Sequence, residues 1–183
     1  MLKNLFLKAV FLIGTLSLFL TATFFFLCLK NSWHPKAKAG YCAFCDKAVL
    51  QRQKFYEDDL VLALVTHKPV LPGHVLIIPK RHVPSFDQLT EAEMQKLFLC
   101  IKKIHKAAQK KFQAASYLLF QKNGFEFRQT VPHVHFHYLP RKAGDSSVLK
   151  FFARMLVVNA RKPLAFEKTQ VNAAEMKQAL EEL

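Results

Sequence analysis

His133, His135 and His137 alternate with Val134, Phe136 and Tyr138 in the stretch PHVHFHYLP, positions 132–140. Successive strand side chains point to opposite faces, so this pattern predicts a strand carrying three imidazoles on one face, about 7 Å apart. The apolar partners then face a core. The alternation gives a strand and leaves open whether the histidines hold a metal, perform chemistry or pack.

The neighbouring segments fit a sheet. VLALVTH (61–67) and HVLIIPK (74–80) are branched apolar runs separated by KPVLPG, which supplies a turn, so two adjacent antiparallel strands are expected. SYLLFQ (116–121) reads as another strand, stopped by Asn123-Gly124. The clearest helix spans 89–112: Thr90 followed by Glu93 is a capping-box signature, and Met94, Leu97, Phe98, Ile101 and Ile104 recur at helical spacing. His105 falls beside that stripe and receives no functional role. The run 148–158 is apolar without a decisive period, and a short terminal helix is expected to begin at Asn172, with Glu175 completing a capping signature. Hairpins with one long helix predict an α+β class, not a parallel α/β one.

The N-terminus is of a different kind. From Ala9 to Leu29 no residue is charged, and the run is long enough to cross a bilayer as a helix. A cleaved signal would have a shorter apolar core with small residues directly after it, whereas Ala37-Lys38-Ala39 lies well beyond the apolar end. The expectation is an uncleaved single-pass transmembrane anchor over 1–30, a polar linker over 31–40 and a compact domain from Tyr41. Lys/Arg flanks lean toward placing the domain on the cytoplasmic side of the membrane. The formal charge is +14, with lysines crowding 102–112 and the linker. That suits a solvated helix face, anionic headgroups or a polyanionic ligand. Without an aromatic–basic recognition motif, nucleic acid is not expected as a partner.

Two groupings carry chemistry. Cys42 and Cys45, in CAFC, have the gap of a zinc knuckle or a redox pair; no thioredoxin-like context surrounds them, and no second Cys pair follows. His82 and His133 are available to complete a Cys₂His₂ site. Cys28 and Cys100 have no partner at useful spacing and read as apolar filler. The three alternating histidines admit a catalytic metal or a histidine nucleophile acting on phosphorus. The surroundings favour phosphorus: Asn123, Gln129 and Thr130 are neutral hydrogen-bonding groups, and no carboxylate occurs over 127–144, where a hard hydrolytic metal would usually have one.

CAFC, PGHVLIIPKRH, NG and QTVPHVHFHYLPR, in this order over 41–141, together resemble the histidine triad (HIT) family of nucleotide hydrolases and transferases. The resemblance implies a HIT-like antiparallel sheet over 41–145, a homodimer formed by extending the sheet, and a nucleotide substrate. It implies that His135 is the nucleophile at the α-phosphate, that His137 contacts phosphate and helps the leaving group, and that His74 stands beside the triad. His133 would orient its neighbour or ligate zinc with Cys42, Cys45 and His82, the zinc being structural. Asn123, Gln129 and Thr130 fall at substrate-contacting positions. HYLPR looks closer to the dinucleoside polyphosphate hydrolase-like members; a nucleoside phosphoramidase and a non-catalytic nucleotide-binding, membrane-associated module are the alternatives. Members usually carry small residues, often Ala-Gly, before the motif glutamine. Here they are Phe127 and Arg128, which would narrow the pocket or add a phosphate contact. The anchor and the extension over 146–183 lie outside the resemblance.

Overall fold

A computed structural model of the chain describes residues 2–32, 40–145 and 147–183. Most of the expected linker, and the Ala37-Lys38-Ala39 triplet within it, lies outside the described residues, as does the Cys28 side chain. Five helices, α1 (Leu2–Ser32), α2 (Lys47–Gln53), α3 (Glu91–Phe112), α4 (Val148–Val157) and α5 (Phe166–Glu181), accompany five strands. The strands are β1 (Lys54–Glu57), β2 (Val61–Val65), β3 (Val75–Pro79), β4 (Ala114–Gln121) and β5 (Phe136–Lys142). They form one antiparallel sheet in the order β1-β2-β3-β5-β4.

The period-2 pattern decides which face each strand buries. Val61, Ala63, Val65, Val75, Ile77, Phe136 and Tyr138 meet Leu97, Cys100, Ile101 and Ile104 of α3 and Ala173 and Met176 of α5 in one core. Leu62, Leu64, Leu76 and Ile78 point the other way and pack with Phe44. The α3 stripe therefore closes one face. The opposite face bears a cleft lined by His74, His135 and His137.

Thr90 caps α3 in a full capping box with Glu93. Glu93 also accepts two hydrogen bonds from Arg81, at 2.9 and 2.8 Å, which ties the loop after β3 to the start of α3. Gly73, at φ +77°, makes the turn into β3; a Cβ there would lie 2.8 Å from both Phe112 and Pro140, so no other residue fits.

Several expectations need correction. Only His137 of the three histidines lies within β5, which starts at Phe136 and runs to Lys142; His133 and His135 precede it in irregular backbone. There the Val134 amide bonds the Val83 carbonyl of the loop after β3, at 2.7 Å, in place of a ladder partner. The apolar alternation persists nonetheless, with Val134 fully buried. The 148–158 run is mostly helix, α4. The terminal helix starts at Phe166, which leaves Asn172 and Glu175 inside it as ordinary helical residues. Helix α2, capped by Asp46, and strand β1 carried too short a pattern to be read. His105 is bonded to the buried Tyr138 hydroxyl at 2.8 Å.

Helix α1 contains the stretch Val10–Leu27, of mean hydropathy 2.2, whose side chains are exposed except for the half-buried Leu27. By length and composition it is the one helix among the described residues able to cross a bilayer.

Candidate active site

Hydrogen-bond partners fix the tautomer of each ring. His135 Nδ1 lies 2.7 Å from the His133 carbonyl, which can only accept, so Nδ1 carries the proton and Nε2 keeps its lone pair. The Val70 amide donates to His74 Nδ1 at 3.2 Å, which puts the His74 proton on Nε2, 2.9 Å from His137 Nδ1. His137 then accepts at Nδ1 and carries its proton on Nε2. One ring is thus a free lone pair and its neighbour a free N–H donor, with centroids 5.0 Å apart.

Burial keeps these rings neutral. His74 is pushed down to about 3, and His135 is lowered by burial, with Lys122 adding to the effect. His137 falls well below the usual range, through burial first and then its imidazole neighbours and Lys122. His135 is 6% exposed, less open than a nucleophile read from sequence suggests, yet it lines a cleft of about 870 Å³ together with His74, His137 and Thr130. Arg52, Lys68, Lys122 and Arg128 also line it, and among the described residues no Asp or Glu does.

The other expected contacts behave differently. Gln129 uses its side chain to close its own loop, accepting from the Gly124 amide and donating to the Pro84 carbonyl, both at 2.8 Å. Asn123 Oδ1 accepts from the Phe86 amide at 3.2 Å and the Gln121 amide group at 2.6 Å. Both shape the loop beneath the site. Arg128 sits at φ +61°, the left-handed conformation for which glycine is the natural residue, while Phe127 is 76% exposed and turns outward. The bulky pair therefore leaves the cleft open and adds a cation to its wall.

Sequence reasoning passed over Phe44, Phe120 and Lys122. Phe44 packs edge-on against His135, centroids 5.1 Å apart, and Phe120 stacks on His137 at 4.5 Å and 6°. Lys122 stands 5.8 Å above the Phe120 ring. Only their nearness to CAFC and Asn123-Gly124 could have flagged them.

Beside the triad a second cluster gathers Cys42, Cys45, His82 and His133, with the ligand atoms within 4.8 Å of one another. His133 donates from Nε2 to the Pro79 carbonyl at 2.9 Å, which frees Nδ1 for Cys42 and Cys45 Sγ at 3.4 and 3.6 Å. Cys45 Sγ is 3.5 Å from His82 Nδ1. Metal–ligand bonds of about 2.3 Å to sulfur and 2.0–2.1 Å to nitrogen give tetrahedral S···N edges of about 3.5 Å, so this set fits a metal ion. Burial, reinforced by the Cys42 sulfur, pushes the Cys45 thiol up to about 11, a cost that a bound cation reverses.

A family model for the HIT domain matches residues 47–144. The chain belongs to the HIT family. It is 44% identical over 95 residues to the bis(5'-nucleosyl)-tetraphosphatase [asymmetrical] of Schizosaccharomyces pombe, covering 52% of each chain. It is 34% identical over 138 residues to the bis(5'-adenosyl)-triphosphatase of Dictyostelium discoideum, covering 73% of this chain and 89% of that one. The chain spans about half the length of several curated relatives it matches, the S. pombe protein among them. Among solved structures, the NitFhit protein of C. elegans superimposes with a TM-score of 0.58 at 34% identity, over 70% of this chain and 27% of that one. A Hit-like protein from Bartonella henselae gives 0.57 at 30% identity, over 69% and 85%. This HIT fold is the five-stranded antiparallel sheet with helices described above.

Proposed function

We propose that this chain hydrolyses dinucleoside polyphosphates at the α-phosphate through a covalent His135 intermediate. The observation that carries the reading is the pairing of a His135 Nε2 lone pair with a His137 N–H, in a cleft that the described residues line with Arg52, Lys68, Lys122 and Arg128 and with no carboxylate. Arg52 Nε is buried there without a hydrogen-bond partner among the described residues, a donor suited to an anion. The S. pombe and D. discoideum relatives are named for tetraphosphate and triphosphate hydrolysis.

The His135 Nε2 lone pair attacks phosphorus, and the bond to the bridging oxygen breaks, its electron pair leaving with the remaining polyphosphate. The ring becomes cationic and is stabilised by the His133 carbonyl on Nδ1–H, while His137 Nε2–H hydrogen-bonds the departing oxygen. Water then attacks phosphorus, the P–N electron pair returns to Nε2, and the water proton passes to solvent. Neutral rings of depressed pKa suit a leaving group that departs as an anion, which favours polyphosphate over a P–N bond.

In this reading zinc, held by Cys42, Cys45, His82 and His133, is structural. His133 belongs to both clusters, so its Nδ1, held to a bound ion, would steady the residue whose carbonyl orients His135. Helix α1 serves as a membrane anchor. The hydroxyls of Thr15, Thr21 and Thr23 each donate to a carbonyl one turn earlier, leaving no unmet donor on those side chains for lipid. The outer edge of β4, with exposed Tyr117 and Leu118, supports a homodimer by sheet extension.

The test uses the full chain in detergent with diadenosine triphosphate and tetraphosphate. AMP release is expected, and His135→Ala should lower turnover by at least about a thousandfold. Turnover that survives His135→Ala would sink the nucleophile. Nucleotide binding without turnover by the unsubstituted chain would make it a binding module. Resistance to alkaline carbonate extraction from native membranes tests the anchor, and recovery in the soluble fraction would refute it.

A further inference from the structure

The family match ends at residue 144, yet α4, just beyond it, forms a wall of the catalytic cleft. The helix is held from several sides. Phe151, Met155 and the adjoining Val158 pack with Val70, Leu71, Leu139 and Phe120. Arg141 lies 5.5 Å over the Phe151 ring, and Lys68 donates to the Asn159 carbonyl at 3.1 Å. The end of α1 also meets α4, with Leu27 lining the cleft, and a second apolar face of α4 opens there. Phe152 and Leu156, one turn apart, are 58% and 44% exposed and line the cleft. Leu149 is 83% exposed on the same helix but does not line the cleft.

The direction of the reaction says which part of a substrate meets that face. Displacement at phosphorus runs in line, so the leaving group departs away from the His135 nitrogen. His137 offers its N–H to the departing oxygen. The Phe120 ring stacks on the face of His137 and packs with the α4 cluster, so the cleft wall beside His137 continues through Phe120 to α4. Lys122 and Arg128 line the same cleft and supply the charge for bridging phosphates. At about 870 Å³ the cleft lies toward the upper end of the range for small-ligand sites, roughly 300–1,000 Å³.

We infer that Phe152 and Leu156 form an apolar shelf receiving the leaving nucleoside of a dinucleoside polyphosphate, so that the C-terminal extension sets which leaving group the site accepts. The inference rests on the hydrolase reading above and specifies its substrate class. A base laid on an aromatic or aliphatic face is stabilised without sequence-specific contacts, so the shelf is tolerant of the base.

The experiment compares two ligands of equal phosphate number in the full detergent-solubilised chain. One is diadenosine tetraphosphate, read by its KM. The other is adenosine tetraphosphate, which lacks the second nucleoside and is read by its inhibition constant against the same reaction. The ratio of KM to inhibition constant should rise on the order of tenfold in Phe152→Ala and in Leu156→Ala. It should stay at its original value in Leu149→Ala, and Phe152→Trp should restore it. A ratio in Phe152→Ala and Leu156→Ala no different from that of Leu149→Ala overturns the shelf, as does an equal weakening of both ligands, which marks a purely structural role. An unsubstituted chain that does not turn over diadenosine tetraphosphate overturns the hydrolase reading and the shelf with it.

Discussion

Lowering the pH from 8 to 5 should cost this protein stability through His74 in particular. The ring is 6% exposed, accepts from the Val70 amide and is held at about 3 by burial. An unfolded chain returns it to about 6.5. Because the folded value is the lower one, the unfolded state binds a proton that the native state refuses between pH 6.5 and about 3. Stability is complete above 6.5 and is lost as pH falls through that window. At pH 5 the penalty is about 2 kcal/mol, since roughly thirty unfolded chains are protonated at this site for each that is not, while the native ring stays neutral. Urea denaturation of the full chain in detergent, followed by far-UV circular dichroism at pH 8 and pH 5, measures it. His74→Gln removes the titrating ring while leaving most other groups in place. The unsubstituted chain should lose about 2 kcal/mol more than the variant between the two pH values. Releasing His137 from its partner would relax its depressed pKa as well and only widen that gap. Equal losses in the two proteins would show that the His74 ring is not held neutral, and the tautomer chain running through it to His137 would fall.

Metal analysis of the purified chain should find one zinc per copy, and chelation should lower the denaturation midpoint while the protein that remains folded keeps turning over substrate. Activity lost in step with zinc, before any unfolding, would assign the ion to the chemistry instead. Lys122→Gln should raise KM for a dinucleoside polyphosphate by about five- to thirty-fold and flatten its dependence on salt; an unchanged KM would remove Lys122 from the phosphate path.

The strand pattern was the part of the fold most legible in the residues. Strand period assigns alternate residues at 61–65, 75–79 and 134–138 to opposite faces whatever the topology, although β2 and β3 bury both of theirs, the second under Phe44. The Thr90–Glu93 capping box was equally readable, since it is satisfied within four residues. Helix α2 and β1 were not, being too short to show a period. Asn172 and Glu175 misled because local capping chemistry is indifferent to the helix already running from Phe166.

At the site, residue types and spacing singled out the three alternating histidines and the Cys₂His₂ set, while His74 and the separate roles of His135 and His137 came from the resemblance to the HIT family; the fold brings the members of each group together. The roles of Asn123 and Gln129 were less legible. A free amide side chain suggests a ligand contact, but here backbone donors of the loop claim both oxygens.

What the sequence determined by itself was chemical identity: which nitrogens, sulfurs and cations the chain owns, and that the histidines alternate with the core residues Val134, Phe136 and Tyr138. Only the tertiary structure decided proton placement and the shape of the cleft. A tautomer is set by carbonyls and amides at Pro79, Val70 and His133, which carry no residue signature, and the α4 wall is set by packing across the sheet edge. Backbone carbonyls are the same for every residue type, and which distant side chains meet depends on the path of the whole chain, so reading side chains in order supplies neither.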